Sequence, residues 1–271
     1  MHPYRSIRRL VLGAAVAGAA IGALPAMASA SSTCTYNFNT KEVVINDASG
    51  SLALHVVRSG PYVAYGDGRS TPQICWGPVT IATTTNTDTI SVIESAANVG
   101  GGISVDESQG MLAPGATPEA DGFSEIETVV YSNHTHPDLT VVGTSGPDTI
   151  RVGGPGVVNL GPDTDTDIGV ADGPAKVALW GGAGDDTLSG AGIVNGLPST
   201  ATVPLVLVGE ANNDLLVGGL AGDGLYGGAD DDTLVSADQS SDTLYGDTGN
   251  DTAKLDTKDI LQDAIEHISF G

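Results

Sequence analysis

The sequence has 271 residues, with 10 Lys and Arg against 33 Asp and Glu, and 4 % aromatic residues. Its formal charge of −23 argues against nucleic acid and anionic membrane, which need basic patches, and points to cations as ligands. The 38 glycines and few aromatics argue against a conventional globular enzyme core, and a hydrophobic content of 40 % argues against simple disorder, which leaves a Gly/Asp-rich all-β or repeat architecture.

Residues 1–30 read as an export signal and are set apart from the fold. Arg5, Arg8 and Arg9 give a basic start, Leu10 to Met27 is apolar and rich in Ala and Gly, and Ala28-Ser29-Ala30 is a small-residue cleavage site. Arg8-Arg9-Leu10 has the paired arginines of a twin-arginine signal, but Ile7 stands where such signals prefer Ser or Thr. Cleavage after Ala30 would remove three Arg and no acid, leaving the chain still more acidic. No later stretch is long and apolar enough to span a bilayer, so a secreted product is expected. Cys34 and Cys75 both survive cleavage, and an oxidising compartment makes them an expected disulfide.

Residues 31–140 read as a β-rich N-terminal region. Short apolar segments at Lys41–Ile45, Leu52–Val57, Val79–Ala82, Thr89–Ile93 and Ile126–Tyr131 alternate with Gly, Pro, Asn and Asp clusters. Asn86-Thr87-Asp88-Thr89-Ile90 and Gly143-Thr144-Ser145-Gly146-Pro147-Asp148-Thr149-Ile150-Arg151 share an Asp-Thr-Ile step. Gly153 to Trp180 carries acids at irregular phase, and the 38 residues from Asp148 to Asp186 read as degenerate solenoid circuits that keep their strands.

A nonapeptide repeat dominates residues 141–254. Its best units are Gly181–Ser189, Gly209–Val217, Gly218–Tyr226, Gly227–Val235, Ala237–Tyr245 and Gly246–Lys254. Each has Asp at its sixth place: Asp186, Asp214, Asp223, Asp232, Asp242 and Asp251. The eighth place is Leu188, Leu216, Leu225, Leu234, Leu244 and then Ala253. The Gly/Asp/Asn-rich first six places predict a turn, and the last three a very short strand. Ser236 is a one-residue insertion, and the unit at Ala237 lacks the leading glycines. Residues 255–271 read as a cap. Ile260, Leu261, Ala264, Ile265 and Ile268 fit a helix face, but Ile265–Phe270 also mirrors Ile126–Tyr131 as a terminal β rung, and the rung is the expectation.

These units resemble the RTX (hemolysin-type) calcium-binding repeat, G-G-x-G-x-D-x-U-x. The resemblance implies a right-handed parallel β-roll, two units to a circuit, preceded by a degenerate solenoid or β-rich region. It stacks Asp214 over Asp232, Asp223 over Asp242, Asp232 over Asp251, Leu216 over Leu234 and Leu225 over Leu244. The implied ligand is Ca²⁺, held by Asp186, Asp214, Asp223, Asp232, Asp242 and Asp251 with Gly182, Gly184, Gly219, Gly228, Asp230 and Gly249. Bare carboxylates at the ~4.8 Å spacing of stacked strands repel by about 1 kcal/mol in water and several at an effective dielectric near 20, and a hard cation wanting six to eight oxygens reverses that sign. The departures from the pattern weaken the expectation of an ion at Asp223/Asp242.

No H-E-x-x-H, G-x-S-x-G or G-x-x-x-x-G-K-[ST] motif occurs. His134-Thr135-His136-Pro137-Asp138 resembles the H-x-H-x-D-H run of metallo-β-lactamase-type hydrolases, but Leu139 replaces the last His. A polar loop is expected there. The favoured reading is an exported calcium-binding β-roll without catalysis, folding on calcium and serving a structural, surface or adhesion role toward a cell-surface or matrix partner. The alternative is a secreted hydrolase with its site in residues 31–140 and the repeats as a folding tail.

Overall fold

The computed structural model describes residues 32–47, 54–66, 71–94, 102–118, 125–132, 137–161, 165–263 and 265–271. The expected export signal lies outside the described residues, as do Leu52, Ala264 and the His134-Thr135-His136 run. No described residue is helical.

The chain winds between two facing sheets. It begins in the first sheet with β1 (Thr33–Asn37) and β2 (Glu42–Asp47), then enters the second with β3 (Leu54–Ser59), β4 (Tyr62–Gly66) and β5 (Gln73–Ile74). It then alternates: β6 (Thr89–Glu94) in the first, β7 (Ile103–Asp106) in the second, β8 (Glu127–Ser132) in the first, β9 (Leu139–Val142) in the second. Three strands follow in the first sheet, β10 (Thr149–Gly153), β11 (Val157–Leu160) and β12 (Ile168–Val170), before β13 (Val177–Ala183) returns to the second. After β14 (Thr187–Ser189) in the first sheet comes a separate hairpin, β15 (Ile193–Val194) and β16 (Leu197–Pro198). The alternation then resumes with β17 (Leu205–Ala211), β18 (Leu215–Val217), β19 (Gly224–Ala229), β20 (Thr233–Val235), β21 (Thr243–Thr248), β22 (Thr252–Leu255), β23 (Ile260–Leu261) and β24 (His267–Phe270). The winding strands pair in parallel, as in β2 with β6, β7 with β9 and β17 with β19. The protein is an all-β parallel solenoid.

The repeat's eighth place forms the core. In the first sheet Ile150, Leu188, Leu216, Leu234, Ala253 and Ile268 stand in register. In the second, Val141, Leu179, Leu207, Leu225, Leu244 and Leu261 do the same. The four leucines Leu188, Leu216, Leu234 and Leu225 are fully buried, each worth roughly 1.5–3 kcal/mol of apolar transfer. In the second sheet the row continues into the N-terminal half through Val141, Val105 and Val56; in the first sheet Ile45, Val92, Val130 and Val170 form an in-register row of their own, set off from the Ile150 row by the meander of β10, β11 and β12. Residues far outside the nonapeptide units thus belong to the same stack.

Two readings of the sequence are corrected, and a third choice falls to the expected side. Residues 153–180 do not make extra circuits. β10, β11 and β12 are an antiparallel meander within the first sheet, which accounts for the 38 residues between Asp148 and Asp186. Val79–Ala82 is not a strand; Ile81 makes an isolated bridge to Trp76. Apolar content alone does not supply the in-register neighbours a strand needs. The C-terminal helix face does not form a helix: β24 pairs in parallel with β22 as a last rung, as the β-rung expectation had it.

The N-terminal end is closed covalently. Cys34 lies in β1, the outermost strand of the first sheet, and Cys75 directly follows β5, the outermost strand of the second. Their disulfide, with Cα atoms 5.2 Å apart, joins the two sheets across the end of the solenoid. Beneath it Tyr36 is buried, with its hydroxyl donating to the Asn86 carbonyl, and the Tyr65 hydroxyl donates to the Ser32 carbonyl at 3.1 Å. Closing a loop of sequence separation 41 stabilises by about 4 kcal/mol in the chain-entropy account. The Cys34→Ala/Cys75→Ala chain should therefore lose about 4 kcal/mol in urea denaturation with calcium present; an unchanged midpoint would contradict the staple's role.

Candidate metal centre

Each circuit has two turns, and the turns stack into two rows. Edge one holds the turns that pass from the second sheet to the first: after β9, β13, β17, β19 and β21. Edge two holds those that pass back, after β14, β18, β20 and β22. The sixth-place aspartates divide between them. Asp186, Asp214, Asp232 and Asp251 share edge one, with Asp148 before them, while Asp223 and Asp242 stand on edge two.

Within each row the aspartates form a hydrogen-bonded ladder. On edge one the amide N–H of Asp148 donates to Asp186 Oδ1 at 2.8 Å, Asp186 to Asp214 at 2.8 Å, Asp214 to Asp232 at 2.8 Å and Asp232 to Asp251 at 2.9 Å. On edge two Asp223 N–H donates to Asp242 Oδ1 at 2.7 Å. One oxygen of each acceptor thus satisfies the amide at the start of the preceding short strand, a donor left over by the turn. The side chain folds back over its own turn, with Oδ2 set against the first glycine of its own unit, as at Gly181, Gly209 and Gly227.

The other oxygen is stranded. Oδ2 of Asp186, Asp214, Asp232, Asp242 and Asp251 is buried with no hydrogen-bond partner. Burying an acceptor without a partner costs about 1–3 kcal/mol, and more for a charge. The repeat's first glycine makes room for it. A Cβ at Gly181 would lie 2.2 Å from Asp186 Oδ2 and 2.9 Å from the Gly209 carbonyl oxygen. At Gly209 the distances would be 2.1 Å to Asp214 Oδ2 and 2.6 Å to the Gly227 carbonyl, and at Gly227 they would be 2.4 Å to Asp232 Oδ2 and 2.8 Å to the Gly246 carbonyl. A carboxylate oxygen of one rung and a carbonyl oxygen of the next therefore converge at each glycine.

The second and fourth places add further carbonyls. Gly182 and Gly184 take φ of 106° and 125°, Glu210 and Asn212 of 81° and 80°, and Gly228 and Asp230 of 122° and 78°. Non-glycine residues rarely adopt this left-handed region, so the turn imposes its shape even where the glycine is missing. Carbonyls released by this geometry face the neighbouring rung: a Cβ would meet the Thr144 carbonyl at 2.6 Å from Gly182, the Glu210 carbonyl at 2.3 Å from Gly228, and the Asp230 carbonyl at 2.0 Å from Gly249. Gly182, Gly184, Gly228, Asp230 and Gly249 thus lie on edge one, and Gly219 on edge two, where its amide donates to Asp223 Oδ2 at 2.6 Å.

The two edges are unequal. Asp223 has both oxygens engaged, Oδ1 by the Leu205 amide at 2.7 Å and Oδ2 by Gly219. Asp242 keeps a stranded oxygen. The Ser236 insertion is absorbed in the edge-two turn, because the strands on either side hold register, Leu225 to Leu244 and Leu234 to Ala253. The segment containing the β15–β16 hairpin occupies edge two above Gly219, where Leu220 N–H donates to the Ala201 carbonyl at 2.9 Å.

Acids outside the repeat phase close the rows. Glu266 accepts from Asp251 N–H at 3.0 Å, Asp259 from Asp242 N–H at 3.2 Å, and Asp263 from the Gly246 and Asp247 amides at 2.9 Å each. The sequence reading missed these three; a carboxylate fifteen to seventeen residues after a residue of the last two repeat units was the available signal. Asp138, from the His-rich run, pairs with Lys176 at 3.2 Å.

Burial raises the ladder carboxyls, and neighbouring carboxylates add to it. Asp232 and Asp242 stand at about 7, and Asp186, Asp214 and Asp223 at about 6; Asp251 is raised in the same way. The donated amides pull in the opposite direction and do not compensate. Buried acceptor oxygens from carboxylates and carbonyls, with room a Cβ would fill, suit a hard divalent cation. The donor set lacks the His and Cys that zinc favours.

A carboxyl raised on folding stabilises the folded chain while it is protonated. That contribution is complete below the unfolded value near 4 and is lost as pH rises through 6–7. In chelator the thermal midpoint should therefore be higher at pH 5 than at pH 8, and a midpoint that rises with pH over this window would contradict the geometry. Gly209→Ala should destabilise the folded chain by about 1–3 kcal/mol, because its Cβ would intrude on Asp214; urea denaturation measures this.

Residues 178–192, 206–234 and 235–253 match the family model described as RTX calcium-binding nonapeptide repeat (4 copies). No curated protein and no solved structure matches the chain.

Proposed function

We propose, from the RTX calcium-binding repeats that the chain carries within residues 178–253, that it is an exported protein whose folding is switched on by calcium. The observation that carries this reading is the set of buried, partnerless Oδ2 atoms at Asp186, Asp214, Asp232, Asp242 and Asp251. Without a cation each rung adds an unsatisfied acceptor and a repulsion along the row. With Ca²⁺ between rungs, the carboxylates and the carbonyls at the second and fourth places become ligands, and binding free energy becomes folding free energy. Edge one, from Asp186 to Asp251, is the main calcium row. On edge two, Asp242 offers the stranded oxygen, and Asp223 contributes less because both its oxygens are engaged.

Export fits this mechanism. A calcium-poor interior would keep the repeats loose, and a calcium-rich exterior would order them. The basic, apolar and small-residue blocks of residues 1–30 support the export step, and the Cys34–Cys75 disulfide accords with an oxidising destination. The role we propose is structural or adhesive rather than catalytic. The described residues between 32 and 142 support this choice, since their strands stack into the same two sheets as the repeats.

Calcium added to the chelated chain should increase the β-sheet circular dichroism, and magnesium at equal concentration should not. Asp232→Ala should lower calcium affinity far more than Asp185→Ala, because Asp232 lies between Asp214 and Asp251 in the row, whereas Asp185 accepts a single amide, from Asn213. Equal losses in calorimetric titration would overturn the assignment of the sixth place.

A further inference from the structure

The head of the edge-one row holds a feature outside the matched repeats. A cavity of about 190 Å³ is lined by Glu107, Met111, Pro147, Asp148, Leu160 and Gly161, among others. Glu107 follows β7, and its amide donates to the Val142 carbonyl at 2.9 Å. It therefore lies one rung above the turn that ends in Asp148, the first aspartate of the row.

Glu107 is buried, 5 % exposed. Its Oε1 accepts the Leu112 amide at 2.9 Å, and Oε2 has no hydrogen-bond partner among the described residues. The nearby charges acting on it, Asp148 and Asp106, are both negative, and burial raises its carboxyl to about 7. Asp148, which lines the same cavity, is held by donors of its own turn, the Thr144 amide at 2.7 Å and the Thr144 hydroxyl. Burial outweighs those bonds and raises the Asp148 carboxyl, and each oxygen keeps lone-pair capacity. The Asp148 amide is already committed to Asp186. The charged groups of the lining are the two carboxylates, and the Thr149 hydroxyl, which can accept as well as donate, lines the cavity with them. The space is enough for an ion that retains part of its hydration.

We infer that Glu107 and Asp148 form a further calcium site at the head of the row, separate from the nonapeptide sites, with waters completing the coordination. Two carboxylates lining one cavity match a divalent cation in charge, and the flexible coordination of Ca²⁺ tolerates a shell made partly of water. The site would tie the segment after β7 to the turn after β9, whose Asp148 amide donates to Asp186 in the first matched repeat.

The test is calcium stoichiometry by equilibrium dialysis on the full chain, comparing the parent with Glu107→Gln and Asp232→Asn. Gln retains an acceptor for Leu112 N–H, so the turn is preserved. Glu107→Gln is expected to bind one calcium fewer, with the repeat sites still filled. An unchanged number in Glu107→Gln, with a loss in Asp232→Asn, would overturn this inference alone. No loss in Asp232→Asn would count against the proposed repeat sites and leave the Glu107 result to be judged separately. Crystals of the parent grown with calcium give a second reading that needs no variant. An anomalous peak about 2.3–2.6 Å from a Glu107 carboxylate oxygen is expected, and water or nothing at that place would overturn the site.

Discussion

The burial of stacked carboxylates, with the repulsion between them added to it, is the constraint on which the rest of this structure depends. A parallel solenoid repeats every side chain at strand spacing, about 4.8 Å, so whatever one turn carries is placed beside its own copy. For leucine this is favourable, and the inner rows gain apolar burial with each rung. For aspartate it is unfavourable: burial first, and nearby carboxylates second, raise the pKa values of Asp186, Asp214, Asp223, Asp232 and Asp242. The ladder of amide donations offsets part of it by giving one oxygen of each acceptor a partner. The second oxygen is what turns a structural motif into a binding one.

The glycines make sense in this light. The first place is glycine because the folded-back carboxylate occupies the space of a Cβ. The second and fourth places take positive φ so that carbonyls can turn toward the next rung. Glu210, Asn212 and Asp230 reach the same φ without being glycine, so the fold enforces the turn and accepts the strain. Edge two is looser: it contains the hairpin segment, the Ser236 insertion and an aspartate whose oxygens are both engaged. An ion-responsive row on one side and a partly self-satisfied row on the other would leave the two edges differently sensitive to calcium.

The periodic part of this architecture was legible in the sequence. Asp at the sixth place and Leu at the eighth give both the rows and the inner core, because a fixed phase becomes a fixed position once the chain winds regularly. What escaped was whatever departs from that phase. The meander of β10, β11 and β12 keeps apolar strands but reverses direction at Gly154 and Gly156, both at positive φ, and a spacing count cannot distinguish a reversal from a circuit. The β15–β16 hairpin had a local signal: Asn195-Gly196, both at positive φ, is the pair expected in a two-residue hairpin turn. Asp259, Asp263 and Glu266 escaped because the last circuit is shorter, and Glu107 because its role depends on a neighbour forty-one positions further along the chain at Asp148.

The account stands or falls on whether the second carboxylate oxygens destabilise the calcium-free fold. The most direct measurement is the stability in chelator of a chain with Asp186, Asp214, Asp232, Asp242 and Asp251 all changed to Asn, set against the parent in the same buffer at pH 8. Asn keeps the acceptor for the ladder amides and removes the charge. The account predicts that this chain melts at a higher temperature than the chelated parent and no longer responds to calcium at these rungs. A lower melting temperature than the chelated parent would contradict it, by showing that the charges themselves hold the rows together.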